Sequence, residues 1–242
     1  MSELESAGKL TATRDGWHRV AEHVLAAAQY GDTGKIGLRP STAGFATARP
    51  LHGGRQLRVA EAELIVTDSA GSRSAPLTTV GAAARFAGVT AGMPERVYQP
   101  ATPLDLDDAL AIDPASARVL AEWYQLGDAA LRRFADEVGA DPGLPILWPE
   151  HFDLAITIDG VNYGVSPGDV YVARPYLYVG PQAGPPVRDT FWNAAFGATV
   201  TIDEIPSADD AVAFFHYGRK RLRLDGAGVP RGALEVGQHP DR

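Results

Sequence analysis

The chain has 242 residues, 45% of them hydrophobic and 21% charged, with a formal net charge of −8 and no cysteine. Such a composition describes a folded globular protein and not a disordered or fibrous one. Without cysteine there is no disulfide, no thiolate nucleophile and no Cys-ligated zinc or iron–sulfur cluster, and the acidic balance speaks against nucleic acid or an anionic membrane as partner.

No run approaches the ~18 to 20 apolar residues of a membrane span, and residues 1–14 lack the apolar core of a signal peptide. A cytoplasmic location is therefore expected. Of 22 basic residues 19 are Arg and 3 Lys, a bias read as G+C-rich bacterial coding. Residues 1–14 are expected as a flexible lead, and 224–242, with Gly and Pro but no periodicity, as a flexible tail. That leaves 15–223 as one domain, or as two lobes meeting near 139–147.

The first periodic element spans 17–29. Trp17, Val20, Ala21, Val24, Leu25 and Ala28 form one helical stripe, with Asp15 as N-cap and Gly31 as stop. Short runs at 35–39, 44–48, 56–59 and 63–67, broken by Arg39-Pro40, His52-Gly53-Gly54 and 68–71, read as an antiparallel meander. An Ala-rich helix follows at 79–87 and ends at Gly88. Residues 98–113 read as loop, with an acidic cluster of Asp105, Asp107 and Asp108. Asp113-Pro114 then has the form of N-cap and first turn of a long helix to Val138, with Val119, Leu120, Trp123, Tyr124, Gly127, Ala130, Leu131 and Phe134 on one face.

Beyond the linker 141–145 the composition shifts, and residues 148–217 hold 12 of the 20 aromatics. Phe152, Leu154, Ile156 and Ile158 alternate with His151, Asp153, Ala155 and Thr157 as in a half-buried strand. Asp159-Gly160 reads as a tight hairpin turn, 176–179 and 197–202 as strands, and Ser207 as the start of a last helix with Asp209 and Asp210 in its first turn. This order predicts an α+β fold. A mainly antiparallel sheet in two strand-rich blocks, either halves of one sheet or separate lobes, packs with about four helices. No GxGxxG, GxxxxGK[ST] or G-x-S-x-G motif occurs, which removes the sequence support for nucleotide-binding or serine-hydrolase readings.

The most distinctive segment is Trp148-Pro149-Glu150-His151-Phe152-Asp153-Leu154-Ala155. Strand alternation would set His151 and Asp153 on one face, ~7 Å apart, where the carboxylate could orient the imidazole as a general base. The same H-x-D pair begins the two-His-one-carboxylate iron site, with His216 as distal ligand and Arg219 as anchor. The bland reading makes both residues polar groups on a sheet face. His18, Glu22 and His23 miss the zincin spacing, since the histidines are i and i+5, about 140° apart around a helix, and the two histidines are read as surface residues. The Asp105–Asp113 cluster lacks the glycine and terminal Glu of an EF-hand, and the basic run 219–223 ends a helix, where cations suit the dipole. No metal site is assigned and the cofactor is left open.

The same segment resembles one in uncharacterised proteins of high-G+C bacteria. The wider order is similar too, with a Trp-led first helix, a strand of the type Lys35-Ile36-Gly37-Leu38, and a Tyr-Leu-Tyr strand followed by Phe-Trp. The resemblance spans about 17–222 and implies no activity, cofactor or catalytic residue.

The expected function is binding of a small, partly apolar ligand in an aromatic-lined pocket of the second half, with Trp148, His151, Asp153, Tyr176, Tyr178, Trp192 and Asn193 as lining. The alternatives are an enzyme using His151 and Asp153 as acid–base pair or metal ligands, and a non-catalytic homodimeric interaction protein.

Overall fold

The apolar stripe that begins at Trp17 belongs to a longer helix than its periodicity suggests. The computed structural model describes residues 3–225, and in it α1 (Glu3–Val20), a π-helical stretch (Ala21–Ala26) and α2 (Ala27–Thr33) run on without a break in right-handed backbone. Residues 3–14, expected as a flexible lead, are thus the first turns of α1, and Thr13 is fully buried, its Oγ1 accepting the Asp113 N–H. Gly34, with φ 68°, ends the helix instead of Gly31, because only a left-handed residue can turn the chain here. Of the flexible tail expected at 224–242, Leu224 and Asp225 are instead the last residues of the helix Ala208–Asp225, and the rest lies outside the described residues.

Two five-stranded meanders follow in sequence. The first is β1 (Leu38–Ser41), β2 (Gly44–Thr47), β3 (Gln56–Ala60), β4 (Glu63–Asp68) and β5 (Gly71–Pro76). The second is β6 (Ile146–Trp148), β7 (Asp153–Ile158), β8 (Val161–Ser166), β9 (Tyr176–Pro181) and β10 (Ala198–Thr201). They join through the antiparallel pair β1·β6, at Leu38↔Leu147, into one sheet of order β5-β4-β3-β2-β1-β6-β7-β8-β9-β10. The two strand-rich blocks are therefore halves of one sheet, and the fold is α+β. Each half also carries a helix before its strands and one after them: α1–α2 and α3 (Val80–Ala87) in the first, α4 (Pro114–Glu137) and α5 (Ala208–Asp225) in the second.

The helices cover one face. Leu57, Val59, Leu64 and Val66 of the first half, and Leu154, Ile156, Tyr163, Val165, Leu177 and Val179 of the second, are buried beneath them. Alternation sends Arg39, Arg58, Ile65, Trp148, Asp153, Ser166, Tyr176 and Tyr178 to the opposite, open face. No described helix is long and apolar enough to cross a membrane.

The central helix α4 starts as the sequence implies, with Asp113 Oδ2 accepting the Ser116 N–H at 2.8 Å and Pro114 in the first turn. Its Gly127 lets it settle onto β8, since a Cβ there would come within 2.3 Å of Val165. The edges are polar or covered. β5 has the sequence Gly-Ser-Arg-Ser-Ala-Pro, and Asn193 binds both Thr199 N–H and Thr199 C=O on the free side of β10.

Two glycine substitutions are expected to have opposite effects. Gly127→Ala should destabilise by roughly 1–3 kcal/mol through overpacking against a strand, whereas Gly8→Ala, in a helix turn with open space, should stabilise by about 0.5–1 kcal/mol. Urea unfolding midpoints measure both.

Candidate functional site

The segment that stood out in sequence forms the turn between β6 and β7. Trp148 pairs with Asp153 across the hairpin, and 149–152 close it, with Phe152 N–H donating to Trp148 C=O at 2.7 Å. Phe152 is 1% exposed and sits at φ 53°, a backbone region that bulky L-residues rarely adopt. Three neighbours hold it there. Tyr124 Oη donates to the Phe152 C=O at 2.6 Å, the His18 ring stacks on its ring at 5.1 Å, and Phe45 meets it edge-on at 5.4 Å. His18 Nε2 also donates to Pro149 C=O at 2.7 Å, and burial pushes the His18 imidazole pKa down.

This turn decides where the predicted pair goes. His151 is exposed on the turn and is not part of β7, so the shared strand face expected for His151 and Asp153 does not form. Asp153 opens β7 on the open face. Its Oδ2 accepts the Tyr178 hydroxyl, while its Oδ1 is shut off from solvent and has no hydrogen-bond partner. Burial raises the Asp153 carboxyl pKa, against lowering by the Tyr178 hydroxyl and the His151 imidazole beside it. Burial likewise raises the Glu150 carboxyl, whose Oε2 is also orphaned.

Tyr178 reaches Asp153 by lying across β8 over Gly164, where a Cβ would fall 2.3 Å from its ring. Beside it Tyr176 donates to Asp169 Oδ2 at 2.6 Å, and the same carboxylate caps the β8–β9 loop through the N–H groups of Tyr171 and Val172. Phe196 completes the wall, with ring centroids 6.2 Å from Tyr178, 6.5 Å from Tyr176 and 6.0 Å from Tyr171.

Four of the seven expected lining residues, Trp148, Asp153, Tyr176 and Tyr178, thus share one corner of the open face, and His151 borders it. Trp192 does not belong there. It is fully buried on the helix side, against Phe191, with its Nε1 donating to Asp225 at 3.0 Å. Asn193 is taken up by the edge of β10. Glu150, Asp169 and Phe196 were missed: nothing in the spacing shows that the 167–175 loop and Phe196 fold back over the β9 tyrosines.

The reading of His18 and His23 as surface residues is overturned: His18 is half-buried against Phe152, and His23 is buried beside Glu22. Glu22 is 0% and His23 1% exposed, because the π stretch is buried on all sides by sheet, helices and the 89–112 segment. Glu22 accepts from Ala101 N–H, Thr102 N–H and Thr102 Oγ1 at 2.9, 2.9 and 2.6 Å. His23 Nε2 donates to Thr102 C=O at 2.9 Å, and its Nδ1 faces the Met93 N–H. These two side chains clip the long segment onto the helix. π turns often mark functional positions, and this one abuts the β6–β7 turn: Glu22 and Glu150 both bear on the buried Tyr98 hydroxyl, Glu22 as the acceptor its proton faces.

The iron alternative is not assembled. His216 pairs with Glu137 at 2.7 Å and packs on Phe134 in the helix layer, and Arg219 binds Asp159 at 2.7 Å. Both line a concavity of about 620 Å³ between α4 and α5, on the other side of the sheet from Asp153. Among the described residues no group of three or more His, Asp or Glu is placed to hold a metal ion. The Asp105 cluster serves local structure, with Asp105 accepting the Asp107 and Asp108 N–H groups and Asp108 pairing with Arg19. No family model matches the chain, and neither a curated protein nor a solved structure matches it significantly.

Two outcomes follow. Tyr124→Phe leaves the buried Phe152 carbonyl without its donor and should cost about 1–3 kcal/mol, read by urea unfolding. The raised Asp153 carboxyl also sets a sign. The native state keeps this proton to a higher pH than the unfolded chain does, so its contribution to stability falls as pH rises above about 4. Asp153→Asn should therefore gain on the wild type in unfolding free energy between pH 4 and neutrality; an unchanged difference refutes the raised carboxyl.

Proposed function

We propose that this corner of the open sheet face binds a small ligand with a flat or ring-shaped apolar part and a polar end directed at Asp153. The observation that carries the reading is Asp153 itself. A carboxyl drawn out of water beside aromatic rings, with one oxygen bonded to a tyrosine and the other to nothing, is costly to the fold. Titratable groups perturbed in this way cluster at functional sites.

The surroundings suit that role. Trp148, Tyr176, Tyr178 and Phe196 supply the aromatic wall, and the polar groups are few and fixed, which is the usual make-up of a small-molecule site. Tyr178 is held by Gly164 beneath and Asp153 at its tip, so it is pre-set and loses little freedom on binding. An acid–base reading of His151 with Asp153 gains less support, because the hydrogen-bond partner of Asp153 is Tyr178.

A fragment library screened by NMR on protein labelled at tyrosine and tryptophan tests the proposal. Hits should perturb Tyr176, Tyr178 and Trp148 together and be lost in Gly164→Ala, which pushes aside the Tyr178 ring and the hydroxyl it sets on Asp153. Hits that cluster elsewhere, or that survive Gly164→Ala unchanged, overturn it.

A further inference from the structure

The hydrogen-bond accounts of the Pro149–Asp153 turn do not close, and the way they fail specifies a ligand chemistry. Buried side-chain oxygens without a partner are rare in native proteins, and each calls for an explanation. Three lie around this one turn: Glu150 Oε2, Asp153 Oδ1 and Tyr98 Oη, the last with its proton facing Glu22 and its lone pairs free. They are linked electrostatically, Tyr98 with Glu150 and Glu150 with Asp153. All three can accept, and no described arginine or lysine forms an ion pair with Glu150, Asp153 or the adjoining Glu22.

A partner that satisfies acceptors must bring donors. The local charge then selects its sign: carboxyls approach from the β6–β7 turn (Glu150), from β7 (Asp153), from the π stretch (Glu22) and from the β8–β9 loop (Asp169), against the His151 and His18 imidazoles and the Arg14 guanidinium, which bears on His18 and Tyr124 and is itself paired with Asp15. The phenols of Tyr98, Tyr124, Tyr176 and Tyr178 face the same carboxyls and keep their protons, burial pushing each pKa up. A metal ion is not suited, since the carboxyls are not gathered as a ligand set. An organic cation fits, because its N–H groups can reach separated acceptors and its charge is favoured by the aromatic faces alongside.

We propose that the polar end of the ligand is an organic cation bearing N–H donors, a primary ammonium or a guanidinium, seated on the unpaired oxygens of Glu150 and Asp153 with its carbon frame on the Trp148–Tyr178 wall. This rests on the site reading above and adds the ligand class. Binding moves protons in a defined direction. Glu150 and Asp153 hold their protons above the ordinary carboxylate range, and an arriving cation favours the ionised form, so each carboxyl that ionises releases one proton to solvent. Affinity should rise with pH until both carboxyls are ionised in the free protein.

Calorimetric titration with phenethylamine, agmatine, phenethyl alcohol and phenylacetate tests this at pH 5 and pH 8, in buffers of different ionisation enthalpy. The expected result is saturable binding of phenethylamine or agmatine, tighter at pH 8, with proton release, and no binding of phenylacetate. Asp153→Asn and Glu150→Gln, both isosteric, should each weaken it about tenfold or more. The pH dependence and proton release are read on the wild type, so the outcome does not depend on either variant folding. Phenethyl alcohol binding as tightly as the amine, with loss in Gly164→Ala, overturns the cation and leaves the site standing. Silence from both amines and the alcohol at millimolar concentration overturns the cation and the site together.

Discussion

The structure depends on how the chain turns at Phe152. A left-handed phenylalanine costs of the order of 1–2 kcal/mol, and the turn exists because its surroundings return more than that. Burying the ring is worth about 2–3 kcal/mol, and the Tyr124 hydroxyl satisfies a carbonyl that would otherwise be stranded in the core. The contacts come from different parts of the chain: Tyr124 from α4, His18 from α1 and Phe45 from β2. A turn of four residues thereby fastens the second meander to the first, beside the narrow β1·β6 ladder.

That constraint also sets the chemistry of the open face. With Phe152 turned inward, Asp153 follows on the opposite side, level with Trp148 and within reach of Tyr178. Glu150 lies under the charge both of Asp153 and of Glu22 in the π stretch, where Glu22 and His23 hold the 89–112 segment. The orphaned oxygens and the left-handed residue thus share one cause: a short turn locked by aromatic packing, with polar groups that the chain itself does not pair. Strain and unsatisfied polarity concentrated at one place are what a site retained for binding is expected to show.

Much of this fold is legible in the sequence. Trp17 to Ala28, Leu120 to Phe134 and the 153–158 alternation each carry one dominant period, and Asp113-Pro114 and Asp159-Gly160 act through local chemistry that needs no tertiary context. The failures are tertiary. β5, five small residues and one arginine, has no apolar face to display, because as an edge strand it buries almost nothing. His23 and Glu22 break the surface rule only because a distant loop covers them and pairs with them. His151 and Phe152 continue an apparent alternation, but the turn consumes it, since packing and not propensity selects the left-handed backbone. Of the site, the tyrosines and Asp153 could be read from strand parity; Phe196, Asp169 and Tyr98 come from loops whose return path no periodicity encodes.

The account turns on one carboxyl, and carboxyl-carbon NMR of Asp153, assigned by comparison with Asp153→Asn, addresses it directly. The midpoint should lie above the ordinary aspartate value near 3.9 in the free protein and fall on saturation with phenethylamine. An ordinary midpoint that the amine leaves unmoved would contradict the claim that Asp153 is a buried carboxyl waiting for a cation.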